Sequence, residues 1–177
     1  MHITPVFRIR SWRLPATLLT LALLTACGHN PPKRGAAPDP GRNYSPIAPA
    51  DPAAAASVLM RALGLVGTPY RYGGNTPESG FDCSGLVTYV YRDMLALSLP
   101  RTSRELAAIQ GPKIAPDRLT AGDLVFFGNK GNVFHVGIYV GEGRFVHAPS
   151  TGGTVRLDHL DGAYWRDHYT GAKRVLR

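Results

Sequence analysis

At 177 residues, 44% hydrophobic and 18% charged, the chain has room for one ordinary domain with extensions and hardly for two, and its composition excludes wholesale disorder and collagen-like repeats. The formal charge of +8 sets 20 Lys and Arg against 12 Asp and Glu; setting aside Arg8, Arg10 and Arg13, which precede an apolar run, leaves 17 against 12, a net of +5. That excess is scattered, with no run longer than Lys33-Arg34 or Lys173-Arg174. There is no basic stripe with interleaved aromatics, so nucleic acid is not an expected partner, and a mild positive field suits an anionic polymer or membrane surface.

Residues 1–13 carry three arginines and no acid, and Leu14 to Ala26 is a short apolar run ending at Cys27. About twenty apolar residues are needed to span a bilayer, so this run has the length of a signal-peptide core rather than a transmembrane helix. Pro15 and the Gly/Pro-rich sequel argue against a buried helix. Leu24-Thr25-Ala26-Cys27 resembles a lipobox, the pattern of bacterial lipoprotein processing. That resemblance implies a signal peptide over 1–26, diacylglycerol on Cys27 and cleavage before it, with the chain held to a membrane through that lipid. Gly28, with no Asp after the cysteine, is similar to cargo sent on to the periplasmic face of the outer membrane. Residues 28–50 hold six prolines and no hydrophobic periodicity. They read as a semi-extended linker reaching on the order of 70 Å at ~3.1 Å per residue. The domain organisation expected is therefore leader 1–26, lipidated Cys27 and linker to residue 50, and a folded domain over 51–177.

Asp51-Pro52 is a helix start, with Asp as cap and Pro in the first turn, and Gly67 ends the helix that runs to about Val66. "TPYRYGGNTPESG" is turn-rich loop. From Cys83, apolar residues at Leu86, Val87, Val90, Tyr91, Met94 and Leu95 fall at helical spacing. Thr102-x-x-Glu105 is a capping box opening a short helix that ends near Gly111. Thereafter "DLVFF", "HVGIYV", "RFVHA" and "TVRLDH" are short β-rich runs between Gly-containing turns. "YWRDHY" is a candidate helical turn and "AKRVLR" a closing strand. Helices first and antiparallel strands afterwards make an α+β domain, helices packed on a small sheet.

Of the two cysteines, Cys27 and Cys83, each sits in its own chemical context, which argues against their pairing. No Cys-x-x-Cys or His-Glu-x-x-His stretch calls for a metal, and no cofactor is expected. Asp82-Cys83-Ser84-Gly85 places a cysteine where a Gly-rich loop becomes a helix. Unpaired N–H groups and the positive end of the helix dipole favour the reactive thiolate there and can face a developing oxyanion. Those four residues alone leave a small buried cysteine equally open. His135 and His147 sit in successive strands. A three-residue turn at Gly141-Glu142-Gly143, with Gly143 left-handed, pairs Tyr139 with Phe145 and Gly137 with His147. Alternation then puts both histidines on one face, one diagonal step apart. With Cys83 they fit nucleophile, base and orienting group.

Six ordered stretches, "GTPYRYGG", "FDCSGLV", "LPRTS", "AGDLVFF", "HVGIYVG" and "FVHAPS", resemble the NlpC/p60 cysteine peptidases, papain-like enzymes that cut peptidoglycan stem peptides. The resemblance covers residues 55–177. It implies a papain-like fold with a sheet or half-barrel, Cys83 as nucleophile, His135 as general base and His147 as orienting group. It further implies Tyr70 as an oxyanion donor with the Cys83 N–H, substrate contacts for Asp82 and Ser84, and a packing role for Tyr72. The layout of anchor, linker and one domain is similar to the short outer-membrane lipoproteins of the family that cut D-alanyl–diaminopimelate cross-links. Members cutting the D-glutamyl–diaminopimelate bond often carry an SH3-like module for which the chain has no room. A wall-binding protein without catalysis and an acyltransferase are the alternatives, and no adaptor or regulatory protease is legible. Arg71, Arg101 and Arg104 are left between stem-carboxylate contacts and solvated charges. His159 and His168 read as surface residues, and Trp165 as core or a cap on the sheet end.

Overall fold

The computed structural model describes residues 48–111, 113–150 and 153–176. The expected leader, the Cys27 anchor and nearly all of the linker lie outside them. Helix α1, Pro52–Gly64, starts where Asp51 accepts the Ala54 N–H at 2.9 Å and ends at Leu65, whose N–H returns to Ala62 and Leu63. It buries Ala55, Val58 and Ala62, a spacing that lines one face. The loop after it is less irregular than its composition predicts. Strands β1, Asn75–Thr76, and β2, Gly80–Phe81, form a small antiparallel hairpin inside it.

Helix α2, Cys83–Leu95, buries Leu86, Val87, Val90 and Tyr91 as the periodicity requires, and ends at Ala96 in the left-handed region. Burying such side chains contributes about 1.5–3 kcal/mol each. Tyr91 donates its hydroxyl proton to the Gly122 carbonyl, tying the far turns of this helix to the loop before the sheet. The capping box is present at α3, Ser103–Ala108, though the helix stops three residues before Gly111.

Five strands follow: β3 Leu124–Asn129, β4 Asn132–Gly141, β5 Arg144–His147, β6 Arg156–His159 and, after helix α4 Ala163–His168, β7 Tyr169–Lys173. They form one antiparallel sheet in the order β6-β5-β4-β3-β7. The last strand begins before "AKRVLR" and ends inside it, because Tyr169 to Lys173 is the stretch that pairs with β3. Alternation divides the sheet into two faces. Leu124, Phe126, Val136, Ile138 and Val146 pack with the helices α1, α2 and α3, whereas Val125, Phe127, Tyr139 and Phe145 form a second cluster with Leu160, Ala172 and Trp165. The domain is therefore α+β, with a sheet covered by the first three helices on one side and by α4 on part of the other.

The hairpin between β4 and β5 has the predicted pairing of Tyr139 with Phe145, but a different turn. Gly141 pairs with Arg144, so the loop is Glu142-Gly143 alone, and Val140 is bulged out of register. Glu142 and Gly143 lie at φ +51° and +69°, positive at both central positions as a type I′ turn needs, and Gly143 is left-handed as expected.

Candidate active site

Cys83 is the first residue of α2, and Asp82 is its cap. Asp82 Oδ1 accepts the Gly85 N–H at 2.6 Å and the Ser84 hydroxyl at 3.2 Å, and Oδ2 accepts the Gly73 N–H at 3.0 Å. Arg101 grips both oxygens, at 2.9 and 2.8 Å, and also donates to Ser84 Oγ and the Gly74 carbonyl. This bidentate clamp replaces the stem-carboxylate or solvated role left open for Arg101. Burial would raise the Asp82 carboxyl, but Arg101 and the Gly85 and Gly73 N–H groups bring it below the ordinary carboxylate value. Gly85 is required for the approach of helix to loop, since a Cβ there would stand 2.0 Å from the Gly74 carbonyl oxygen.

The backbone N–H groups of Val136, Ser84 and Cys83 itself lie near enough to the Cys83 sulfur to favour its thiolate, which puts the thiol beside the strand residue that follows His135. Tyr70 reaches the same place through a bridge to Phe81 and a 2.8 Å hydrogen bond from its N–H to the Gly153 carbonyl. Burial raises its phenol, and the neighbouring Cys83 and Asp82 add to that. Tyr72 is 89% exposed, which overturns the packing role. It extends from a loop whose neighbours Arg71 and Gly73 are also exposed, so no core is within its reach.

His135 and His147 are both buried on the same face of the sheet, and His135 Nε2 lies 2.9 Å from His147 Nδ1. Continuing the β4–β5 register puts Gly137 opposite His147. A Cβ there would lie 2.6 Å from the Phe145 ring and 3.3 Å from His147 Cβ, so a larger residue would push on His147. The strand carrying His135 starts at Asn132 rather than at the histidine, because β3 pairs with it past a bulge at Phe127/Gly128.

The line of groups extends one strand further than the sequence shows. Asp158 on β6 pairs with Phe145 and stands diagonally across from His147, with Oδ2 3.0 Å from His147 Nε2. Trp165 of α4 packs on the second core cluster, as a core or cap residue would, and also reaches the histidines. Its ring lies over His135 and His147, and its Nε1 donates to Asp158. A clue to Asp158 was the Arg-x-Asp alternation in "VRLDH", which puts Arg156 and Asp158 on one face. Nothing in the spacing announced that β6 would pair with β5. His159 and His168 are half-buried rather than surface residues. Phe134 meets the His168 ring, and Tyr164 stacks on it.

Burial dominates the electrostatics. It pushes the Cys83 thiol up, with the Asp82 charge adding, against the three backbone N–H groups that favour thiolate. Burial likewise holds His135 well below its ordinary value, with His147 adding, and lowers His147 despite Asp158. These directions favour a neutral thiol and a neutral imidazole, against the thiolate that the helix terminus alone favours. Burial would raise Asp158 too, but His147, Arg156 and Trp165 hold it at about 2. Among the described residues, no group of His, Cys, Asp and Glu side chains is placed to hold a metal ion, and no helix is long and apolar enough to cross a membrane.

The chain matches the NlpC/P60 family over residues 67–174. It is 45% identical over 121 residues to the murein DD-endopeptidase MepH of Escherichia coli, covering 67% of this chain and 45% of that protein. A gamma-DL-glutamyl hydrolase of Bacillus subtilis is 44% identical over 128 residues, 71% of this chain and 30% of that one. The chain thus spans less than half the length of these two relatives. The probable endopeptidase NlpC of E. coli is 39% identical over 160 residues, 89% of this chain and 96% of that protein. A crystal structure of an NlpC/P60 family protein from Bacillus cereus superposes with a TM-score of 0.65 at 31% identity, covering 70% of this chain and 40% of that one. On the family match and these identities, the chain belongs to the NlpC/P60 family.

Proposed function

We propose that the chain is a cysteine-type peptidase that hydrolyses amide bonds in peptidoglycan stem peptides. The observation that carries this reading is a cysteine at the first turn of helix α2, beside Val136 of the strand that presents the His135–His147 pair. Cys83 attacks the carbonyl carbon as His135 takes the thiol proton, and the resulting imidazolium gives that proton to the departing amine. Water then attacks the thioester with His135 again as base, releasing the acid and restoring the thiol. The Cys83 N–H and the Tyr70 hydroxyl are the proposed oxyanion donors, and His147 orients His135. Asp82 and Ser84, locked by Arg101, shape the loop that faces substrate.

The bond we assign is the D-alanyl–diaminopimelate cross-link, in keeping with the similarity to a murein DD-endopeptidase. A cut at the D-glutamyl bond is the second reading, favoured by the similarity to a gamma-DL-glutamyl hydrolase. The full chain, incubated with purified cross-linked muropeptides and read by mass spectrometry, separates the two. Release of intact tetrapeptide monomers from dimers supports the first, and release of dipeptide stems the second. Binding to sacculi without cleavage contradicts both.

The same reading gives residues 1–26 as a signal peptide, Cys27 as the lipidated residue, the segment to residue 50 as a tether and 51–177 as the catalytic domain. The protein would then act from the periplasmic face of the outer membrane. An acyl mass on Cys27, absent after Cys27→Ser, supports the anchor, and an unmodified wild-type chain in the membrane fraction contradicts it.

A further inference from the structure

Four hydrogen bonds converge on one oxygen behind the histidine pair. Asp158 Oδ2 accepts from Trp165 Nε1 at 2.8 Å and from Arg156 Nη2 and Nε at 2.9 and 3.2 Å, with His147 Nε2 at 3.0 Å. Indole and guanidinium N–H groups only donate. They hold an acceptor at that point regardless of the histidine, so His147 Nε2 carries a hydrogen. With His147 neutral, its Nδ1 is an acceptor, and the 2.9 Å contact makes His135 Nε2 the donor. One ring lone pair is left in the chain of groups, on His135 Nδ1.

We propose that Asp158 is a positioning residue whose Oδ2, held by Arg156 and Trp165, fixes the tautomers of His147 and His135 and so leaves His135 Nδ1 as the base. The inference rests on Cys83 and His135 being nucleophile and base. The opposite tautomer of His147 would turn an N–H toward His135 Nε2. His135 would then carry its hydrogen on Nδ1 and have no lone pair there for the thiol proton. Asp158 keeps its accepting role across the working pH range, because its partners hold it ionised down to about 2 although burial opposes this. When His135 takes the proton, both its nitrogens donate, and His147 Nδ1 remains the acceptor that orients it. The three groups occupy successive strands β4, β5 and β6, so the sheet register sets the relay.

The test uses the full chain in detergent, ¹⁵N-labelled at histidine, with long-range ¹H–¹⁵N spectra at pH 7.5 beside kinetics on cross-linked muropeptides. In the wild type, both His135 and His147 carry hydrogen on Nε2. Asp158→Ala removes the acceptor, gives mixed tautomers and lowers kcat on the order of 10²-fold or more, with KM little changed. In Asp158→Asn, Arg156 and Trp165 keep an oxygen facing His147. The tautomers persist there, and kcat recovers to within about tenfold of the wild type. Hydrogen on His147 Nδ1 in the wild type overturns the proposal, as does an Asp158→Ala enzyme within threefold of wild-type kcat. An Asp158→Asn enzyme as slow as Asp158→Ala with unchanged tautomers also overturns it, because charge rather than the acceptor would then decide. Should Asp158→Ala not fold, the wild-type and Asp158→Asn spectra and rates still decide. Absence of cleavage by the wild type, beside a Cys83→Ala control, contradicts the peptidase reading, whereas the spectra judge the tautomers independently.

Discussion

The indole of Trp165 lies nearly parallel to the imidazole of His135, with ring centroids 5.2 Å apart and planes at 28°. It also packs edge-on to His147, so one side chain keeps water from both rings. Burial is the largest influence lowering His135. We predict that Trp165→Ala, by admitting water, moves the His135 pKa back up toward its ordinary value. Only the neutral imidazole is a base, so the acid limb of kcat/KM shifts to higher pH. Its plateau falls about tenfold or more. A pH–rate profile of the two proteins checks this, and an unmoved acid limb contradicts it.

A neutral resting thiol has its own signature. Burial and the Asp82 charge hold Cys83 above the ordinary value of 9.0. Iodoacetamide alkylation of Cys83, followed by peptide mass, is predicted to be slow at pH 7 and to reach half its maximal rate only above pH 9. A half-rise below pH 7 would instead show a thiolate–imidazolium pair at rest.

Stability against pH follows from the same groups. His135 and His147 are lowered in the folded chain, so below the unfolded value of 6.5 the unfolded chain binds more protons and stability falls with falling pH. Asp158 is lowered from 3.8 to about 2, and its contribution, about 2 kcal/mol, is present above 3.8 and lost as pH falls toward 2. Urea unfolding at pH 7.5, 5.5 and 3.5 should give successively lower midpoints. A midpoint that is flat from 7.5 to 5.5 would rule out buried neutral histidines.

The Arg101 clamp on the α2 cap spans 19 residues and uses both carboxylate oxygens. Lysine cannot reproduce a bidentate grip. We predict that Arg101→Lys destabilises the fold by about 1–3 kcal/mol and lowers kcat more than KM changes, because the turn bearing Cys83 loosens. Unfolding curves and steady-state kinetics together test this. A variant with wild-type values in both would reduce Arg101 to a surface charge.

Cys83, His135 and His147 were legible because each is announced by local chemistry, a helix cap and two alternating strands joined by a short Gly turn. The hairpin register survived a wrong turn type, since the bulge at Val140 absorbs the residue that the shorter loop leaves over. Asp158 and Trp165 were not legible. Both reach the histidines through the placement of β6 beside β5 and of α4 over β3, and strand order is a property of the whole sheet. In sequence, Asp158 looks like any solvent-side carboxylate on an edge strand. Arg101 was seen but not its partner, since the loop that brings it to Asp82 has no periodicity. The helix terminus that favours thiolate is opposed by burial of the thiol, which acts together with the Asp82 charge and was not visible from the local spacing.

The most direct test of the account is to stop the full chain in acid during turnover on cross-linked muropeptides and measure its intact mass. The predicted result is a fraction of the protein heavier by one stem acyl group, mapped to Cys83 as a thioester, and neither adduct nor cleavage in Cys83→Ala. Cleavage that persists in Cys83→Ala, with no adduct on the wild type, would contradict it.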